Sequence, residues 1–246
     1  MQIHNTNGVV LKTVKYGESS IITTVYTEIF GVQSYLVKGV RKSSKKGNAG
    51  ATHFQPGAIL EMSVYHNELK NLQFVKEYNW HYIYNELFFN VVKNSVAQYI
   101  IEILQHTVKQ PEANPELFYL ITDTLKQLDK GNATLTANLP LYFMLQLGGH
   151  LGFEIQGSFS KNTPILDLQE GFYVHEIPNH AFYIENHLAE TASIIQQINF
   201  YNELERIGLS RTTRRALLVA LQQYISLHIT DFGNLQSLTI LQEILT

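Results

Sequence analysis

The spacing of apolar residues changes character once along this chain, close to residue 80. Before that point, apolar and polar residues alternate in short β-branched runs bounded by glycine, proline and asparagine, the pattern of half-buried strands. Ile3 to Val14 is the first such run, Ser19 to Thr27 the second and Gln33 to Val40 the third. The stretch KGVRKSSKKGNAGAT then loses all periodicity and gains glycine, serine and lysine, which predicts a long loop. Pro56-Gly57 closes that loop, and Ala58 to Tyr65 forms a fourth strand. After a turn at His66 to Leu69, Asn71 to Tyr78 forms a fifth. Five short strands with one long loop after the third predict a small closed Greek-key barrel of the OB type, with an SH3-like barrel as the alternative.

After Trp80 the apolar positions recur every three or four residues. Val91, Val92, Val96, Tyr99, Ile100, Ile103 and Leu104 predict a helix over Asn90 to Val108. Pro115 suits the first turn of a second helix that runs to Leu128, and Gly131-Asn132 ends it. A third helix is expected from near Pro140 to the glycines at 148–152. Residues 153–186 break the pattern and read as a β-hairpin excursion. Helices then resume at His187 to Tyr201, Thr212 to Ile229 and Gln236 to Leu245. The expected fold class is α+β: a barrel domain over 1–79, then a mostly helical domain over 80–246 with a small β insert at about 153–186.

Composition narrows the chemistry. Apolar residues make up 45% of the 246 and charged residues 16%, enough to build a core. Cysteine is absent, which excludes disulfides, thiol nucleophiles and thiolate metal sites. The start, MQIHNTNGVV, lacks the basic and apolar segments of a secretory signal, and no run approaches the length of a membrane span. A soluble cytoplasmic protein with no membrane partner is expected. The net charge of −3 hides an asymmetry: residues 1–50 hold seven lysines and arginines against two glutamates, a local +5 that leaves −8 for the rest. A basic front end on an acidic body points to a localised polyanion site, although a solvated lysine loop that aids solubility gives the same count.

No enzyme motif survives inspection. The phosphate loop GxxxxGK[ST], the GxSxG elbow and the HExxH zinc helix are all missing. Gly148-Gly149-His150-Leu151-Gly152 follows a helix and reads as its C-terminal break. His175 and His180, near Asp167, Glu170 and Glu176, are the best metal candidates, but without cysteine they do not make a standard zinc set. Neither catalytic residues nor a cofactor is expected. What remains is the basic loop: Lys38, Arg41, Lys42, Lys45 and Lys46, joined by Lys12 and Lys15 on the first strand, form a set able to neutralise phosphates. Tyr16, Tyr35, Tyr65 and His66 lie near strand ends where bases could stack, though core or rim packing is the commoner duty of such residues. A second cluster, SRTTRRALLVAL, crowds Arg211, Arg214 and Arg215 into the first turns of a helix, against its macrodipole. With Leu218 they would frame a pocket for an acidic peptide with a hydrophobic end; a core helix with salt-bridged arginines is the bland alternative.

With these residues in view the chain resembles the RecO family. The resemblance is carried by the Tyr16 to Ser20 turn (Y-x-E-S-S), Thr27 to Gly31 (T-E-x-x-G), Lys38 to Arg41 (K-G-x-R), LGGHLGF at 147–153 and the closing stretch from Arg214 onward. It implies an OB-fold DNA-repair and recombination protein of the RecFOR pathway, cytoplasmic and associated with the nucleoid. Such a protein binds single- and double-stranded DNA, anneals complementary strands and, with RecR, helps load RecA onto DNA coated by single-stranded-DNA-binding protein, whose acidic C-terminal tail it binds. The resemblance assigns DNA binding to the basic barrel and tail binding to the helical domain. Many relatives carry a four-cysteine zinc module where this chain has residues 153–186. Lacking those cysteines, the insert is expected to hold itself with Phe153, Phe159, Phe172, Tyr173, Phe182 and Tyr183, without zinc.

Overall fold

The computed structural model describes residues 2–41 and 50–245. Five strands close into a barrel: β1 (Gln2–Tyr16), β2 (Ser20–Thr27), β3 (Gly31–Val37), β4 (Ile59–His66) and β5 (Leu72–Trp80). Their order around the barrel is β1-β2-β3-β5-β4, with β4 returning to β1. The closure between β3 and β5 is parallel while the other pairs are antiparallel, which selects the OB-type topology expected from the strand count. A short 3-10 helix at Gly50–Phe54 occupies the end of the predicted loop, and Phe54 is fully buried.

Strand β1 is longer than the pattern predicts, because a bulge lets it serve two stretches of barrel. Gly8 and Val10 pair with the inward residues Thr27 and Val25, whereas beyond the bulge Thr13 pairs with inward Thr23. Leu11 is the extra residue that shifts the phase. The threonine pair is satisfied inside, with Thr13 Oγ1 2.7 Å from the Phe54 carbonyl and 2.9 Å from Thr23 Oγ1.

Six helices follow: α1 (Val91–Thr107), α2 (Pro115–Lys130), α3 (Ala133–His150), α4 (Asn186–Gln196), α5 (Arg211–His228) and α6 (Ser237–Ile244). Chain contacts group them into two compact units. One comprises Met1–Asn85 with Ile101–Leu125, and the other Glu86–Ile100 with Lys126–Thr246. In the first unit, Tyr26 and its cross-strand partner Val9 are buried on the outside of the barrel. Phe118 and the Asn114 carbonyl cover Tyr26, and Gln105 donates to the Leu11 carbonyl at 2.6 Å. One half of the outer β1–β2 face is therefore capped by the 101–125 segment.

In the second unit α3 begins at Ala133, seven residues before the position expected from Pro140. Asn132 caps it by accepting from the Leu135 amide at 2.9 Å, and Pro140 lies inside the helix. Apolar residues cover α3 on nearly every side and bury it, so the proline costs one internal hydrogen bond without exposing backbone to solvent. Nearby, the buried Asp129 carboxylate accepts from the amides of Glu86 and Leu87, both at 2.8 Å. The Lys93 ammonium, also buried, is held by Glu86 and the Asp129 carbonyl at 2.7 Å each. Among the described residues no helix is long and apolar enough to cross a membrane.

The insert is a three-stranded sheet, not a hairpin. Its strands β6 (Ile165–Asp167), β7 (Phe172–Val174) and β8 (Tyr183–Glu185) lie in the order β7-β6-β8. Of the six aromatics expected to hold it, only Tyr173 is buried, its hydroxyl donating to the Ala189 carbonyl, whereas Phe172 is 51% exposed. Ile165, Leu166, Leu168 and Ile184 supply the rest of the packing. Asp167 closes the β6–β7 turn through the Gln169 and Glu170 amides and pairs with His180 at 3.3 Å. Among the described residues no three histidine, aspartate or glutamate side chains converge as a metal site would require.

Candidate nucleic-acid interface

The half of the barrel face not covered by the 101–125 segment has a defined chemistry. Val14 pairs with Ile22, Ile22 with Leu36 and Leu36 with Phe74, so four apolar side chains on four adjacent strands form a single row. Val14 is 46% exposed, and Ile22, Leu36 and Phe74 are half-buried. Pairing positions one step further along puts Lys12, Thr24, Ser34 and Leu72 beside this row. Tyr16, 53% exposed, continues it at the end of β1. Such a strip offers flat apolar contacts of the kind that bases stack on.

Cations flank the row. Lys38 follows β3 and holds its ammonium 5.3 Å from the Phe74 ring centroid, a cation–π contact that fixes charge beside an aromatic face. Arg41 donates from its guanidinium to the Gly17 carbonyl at 3.1 Å and from its amide to Ser19 at 3.0 Å. The start of the long loop is thereby pinned to the β1–β2 turn, next to Lys15 and Tyr16. Lys12 and Lys15 are exposed. Lys42, Lys45 and Lys46 lie outside the described residues. Glu28, on the capped half, is occupied, accepting from Asn7 at 2.9 Å and from the Tyr119 hydroxyl at 2.8 Å. That hydrogen bond raises the Tyr119 pKa above the usual phenol value.

The residues named from the sequence are divided by the structure. Lys12, Lys15, Lys38 and Arg41 sit around the open face. Of the proposed stacking residues, Tyr16 is exposed and Tyr65 and His66 are half-buried, while Tyr35 is in the barrel core. The apolar row was not found from sequence, since its members are far apart in the chain and meet only through strand register. The one local signal is Ile22 beside Thr23, where β2 turns its apolar residue outward and its threonine inward.

The arginine cluster divides too. Ser210 caps α5 through the Thr213 amide at 3.0 Å. Arg214 is turned inward: its guanidinium reaches the Leu209 carbonyl at 3.2 Å and Asn138 at 3.4 Å, and burial lowers its pKa. Asn138 in turn donates to the carbonyls of Leu204 and Ile207, so the pair staples residues 204–209 to α3. Leu218 is fully buried, while Arg211, Arg215 and Val219 are exposed at four-residue spacing.

The comparisons agree with this architecture. The model for the recombination protein O N-terminal region matches residues 1–84, and that for the recombination protein O C-terminal region matches residues 89–238. Similar full-length proteins include the DNA repair protein RecO of Flavobacterium psychrophilum, 31% identical over 99% of both chains. The DNA repair protein RecO of Christiangramia forsetii is 29% identical over 99% of both, and that of Phocaeicola vulgatus 26% identical over 98% of this chain and 99% of its own. With an OB-type barrel that keeps a cation-flanked face open, and with both family regions matched in order, the chain belongs to the recombination protein O family of DNA repair proteins.

Proposed function

We propose that the protein is a non-enzymatic recombination mediator. It binds single- and double-stranded DNA through the open barrel face, anneals complementary strands, and with RecR helps load RecA onto strands coated by single-stranded-DNA-binding protein. The observation that supports this most directly is the row Val14–Ile22–Leu36–Phe74 with Lys12, Lys38 and Arg41 around it. Annealing needs only that phosphate repulsion be screened while base edges stay free, and a cationic rim around an apolar strip supplies that without a nucleotide cofactor.

Fluorescence anisotropy with labelled single-stranded DNA across a salt series tests it. Four or five phosphate contacts should give a log–log slope of roughly −3, at about −0.7 per contact. Neutralising Lys42, Lys45 and Lys46 together should bring the slope to about −1. An absence of binding at low salt would instead favour a scaffold that touches only proteins, its lysines serving solubility.

The acidic tail of single-stranded-DNA-binding protein is assigned to the exposed stripe Arg211–Arg215–Val219 on α5, since Arg214 and Leu218 are committed to the interior. Arg211→Glu with Arg215→Glu should abolish binding of a tail peptide and spare DNA binding. A peptide that still binds with wild-type affinity removes α5 from the reading.

A further inference from the structure

Beside the open face the barrel unit holds a polar cavity of about 370 Å³. Gln33, Ser34, His66, Lys70, Asn71 and Lys109 form most of its wall, and Glu68 adds one carboxylate. The volume lies in the range of small-ligand pockets, about 300–1,000 Å³. Ser34 belongs to the outward side of β3, two residues from Leu36, so the cavity lies about 7 Å along the strand from the apolar row. DNA laid along β3 would reach it with the next nucleotide.

The wall is preorganised. Gln73, buried at 1% exposure, accepts from the Asn67 amide at 2.9 Å and donates to the carbonyls of Asn67 and Lys70 at 2.9 and 2.5 Å. Those bonds hold the β4–β5 turn that presents Lys70 and Asn71. Behind the turn the His66 imidazole lies flat on Phe30, with centroids 3.9 Å apart and planes 9° from parallel, and His4 stands edge-on to both. His66 Nδ1 is shielded from solvent and has no hydrogen-bond partner among the described residues. Desolvation, and after it His4, lower the His66 pKa, with Glu68 opposing them. The amides of Gln33 and Asn71 and the Ser34 hydroxyl offer both donors and acceptors, as a base edge does, and the wall carries two lysines and one glutamate. This mixture suits a nucleotide better than a free anion or an apolar ligand.

We propose that this cavity is a nucleotide subsite, taking one unpaired base of a strand on the open face while Lys70 and Lys109 hold its adjacent phosphate. The inference rests on the reading of the barrel as a DNA-binding module. It adds a source of strand preference: a base in a duplex must first unpair to enter, whereas a base in a single strand is already free. Because its amides and hydroxyl can each serve as donor or acceptor, the wall accepts all four bases.

The test measures anisotropy of the full-length protein with two labelled polymers of equal length, a thymidine homopolymer and its fully abasic counterpart. The wild type should prefer the thymidine polymer about tenfold or more. Asn71→Leu, at an exposed turn position, should lower thymidine binding severalfold and leave abasic binding unchanged. Lys70→Gln should weaken both polymers and reduce the salt slope by about 0.7. Wild-type affinities for both polymers in both variants, each with an unchanged thermal melt, would overturn the subsite and leave the DNA-binding reading standing. Failure of the wild type to bind either polymer would overturn both.

Discussion

Replacing Gly31 with alanine is expected to destabilise the barrel unit by about 4 kcal/mol, the sum of left-handed strain and a backbone collision. Gly31 opens β3 with φ +60°, and a Cβ placed there would lie 2.6 Å from the Glu112 amide nitrogen and closer still to its carbonyl oxygen. The overlap cannot be relieved by a rotamer, because both sides are main chain. Relief would require moving the 110–112 segment, whose Gln110 carbonyl accepts from Val32 at 3.2 Å. Gly17→Ala is the internal control, since Gly17 has φ +59° but nothing among the described residues within 4 Å of its would-be Cβ. It should cost only about 1–2 kcal/mol. Urea unfolding of both variants separates the two contributions. If Gly31→Ala loses no more than Gly17→Ala, the close approach of Glu112 carries no weight.

Asp129→Ala should have a comparable effect in the other unit. The carboxylate, only 2% exposed, takes two backbone amides at the start of that unit, and charge-assisted hydrogen bonds contribute about 1.5–3 kcal/mol each. Alanine leaves the amides of Glu86 and Leu87 without this acceptor, so a loss of about 3–5 kcal/mol is expected. At roughly 2–4 °C per kcal/mol this lowers the melting temperature by about 10 °C. Asp129→Asn keeps an acceptor oxygen and should recover much of the loss. Lys93 is not orphaned by either change, because its partners are the Glu86 carboxylate and the backbone carbonyl of residue 129. Calorimetry showing the alanine variant melting with the wild type would mean that the amides find another acceptor.

The strands of the barrel were legible because each buries one face, so β2 and β3 alternate with a period of two. The position of the one long loop pointed to an OB-type barrel but left an SH3-like one open, and only the parallel β3–β5 pairing separates them. The start of α3 was not legible, since a proline inside a helix normally marks an end, and only burial on nearly all sides makes Pro140 acceptable there. The insert was legible as non-helical but not as three strands: each has only three residues, too few to display alternation. For the site, residue type was readable and orientation was not. Arg211, Arg214 and Arg215 look alike in the sequence, yet Asn138, more than seventy residues away, draws Arg214 alone inward. The apolar row depends on register across four strands, information that no window of sequence contains.

The cap on the barrel has a consequence for how the chain is made. Val9 and Tyr26 are synthesised early, but the residues that cover Tyr26, Asn114 and Phe118, emerge some ninety positions later. Counted from the end of β5 at Trp80, the ribosome needs roughly two to eight seconds to supply them, at about 5–20 residues per second. Until then the nascent barrel presents an apolar patch that the finished protein hides, which makes it a substrate for chaperones during that interval. A gene cut at the apparent end of the strands would freeze the protein in that sticky intermediate state.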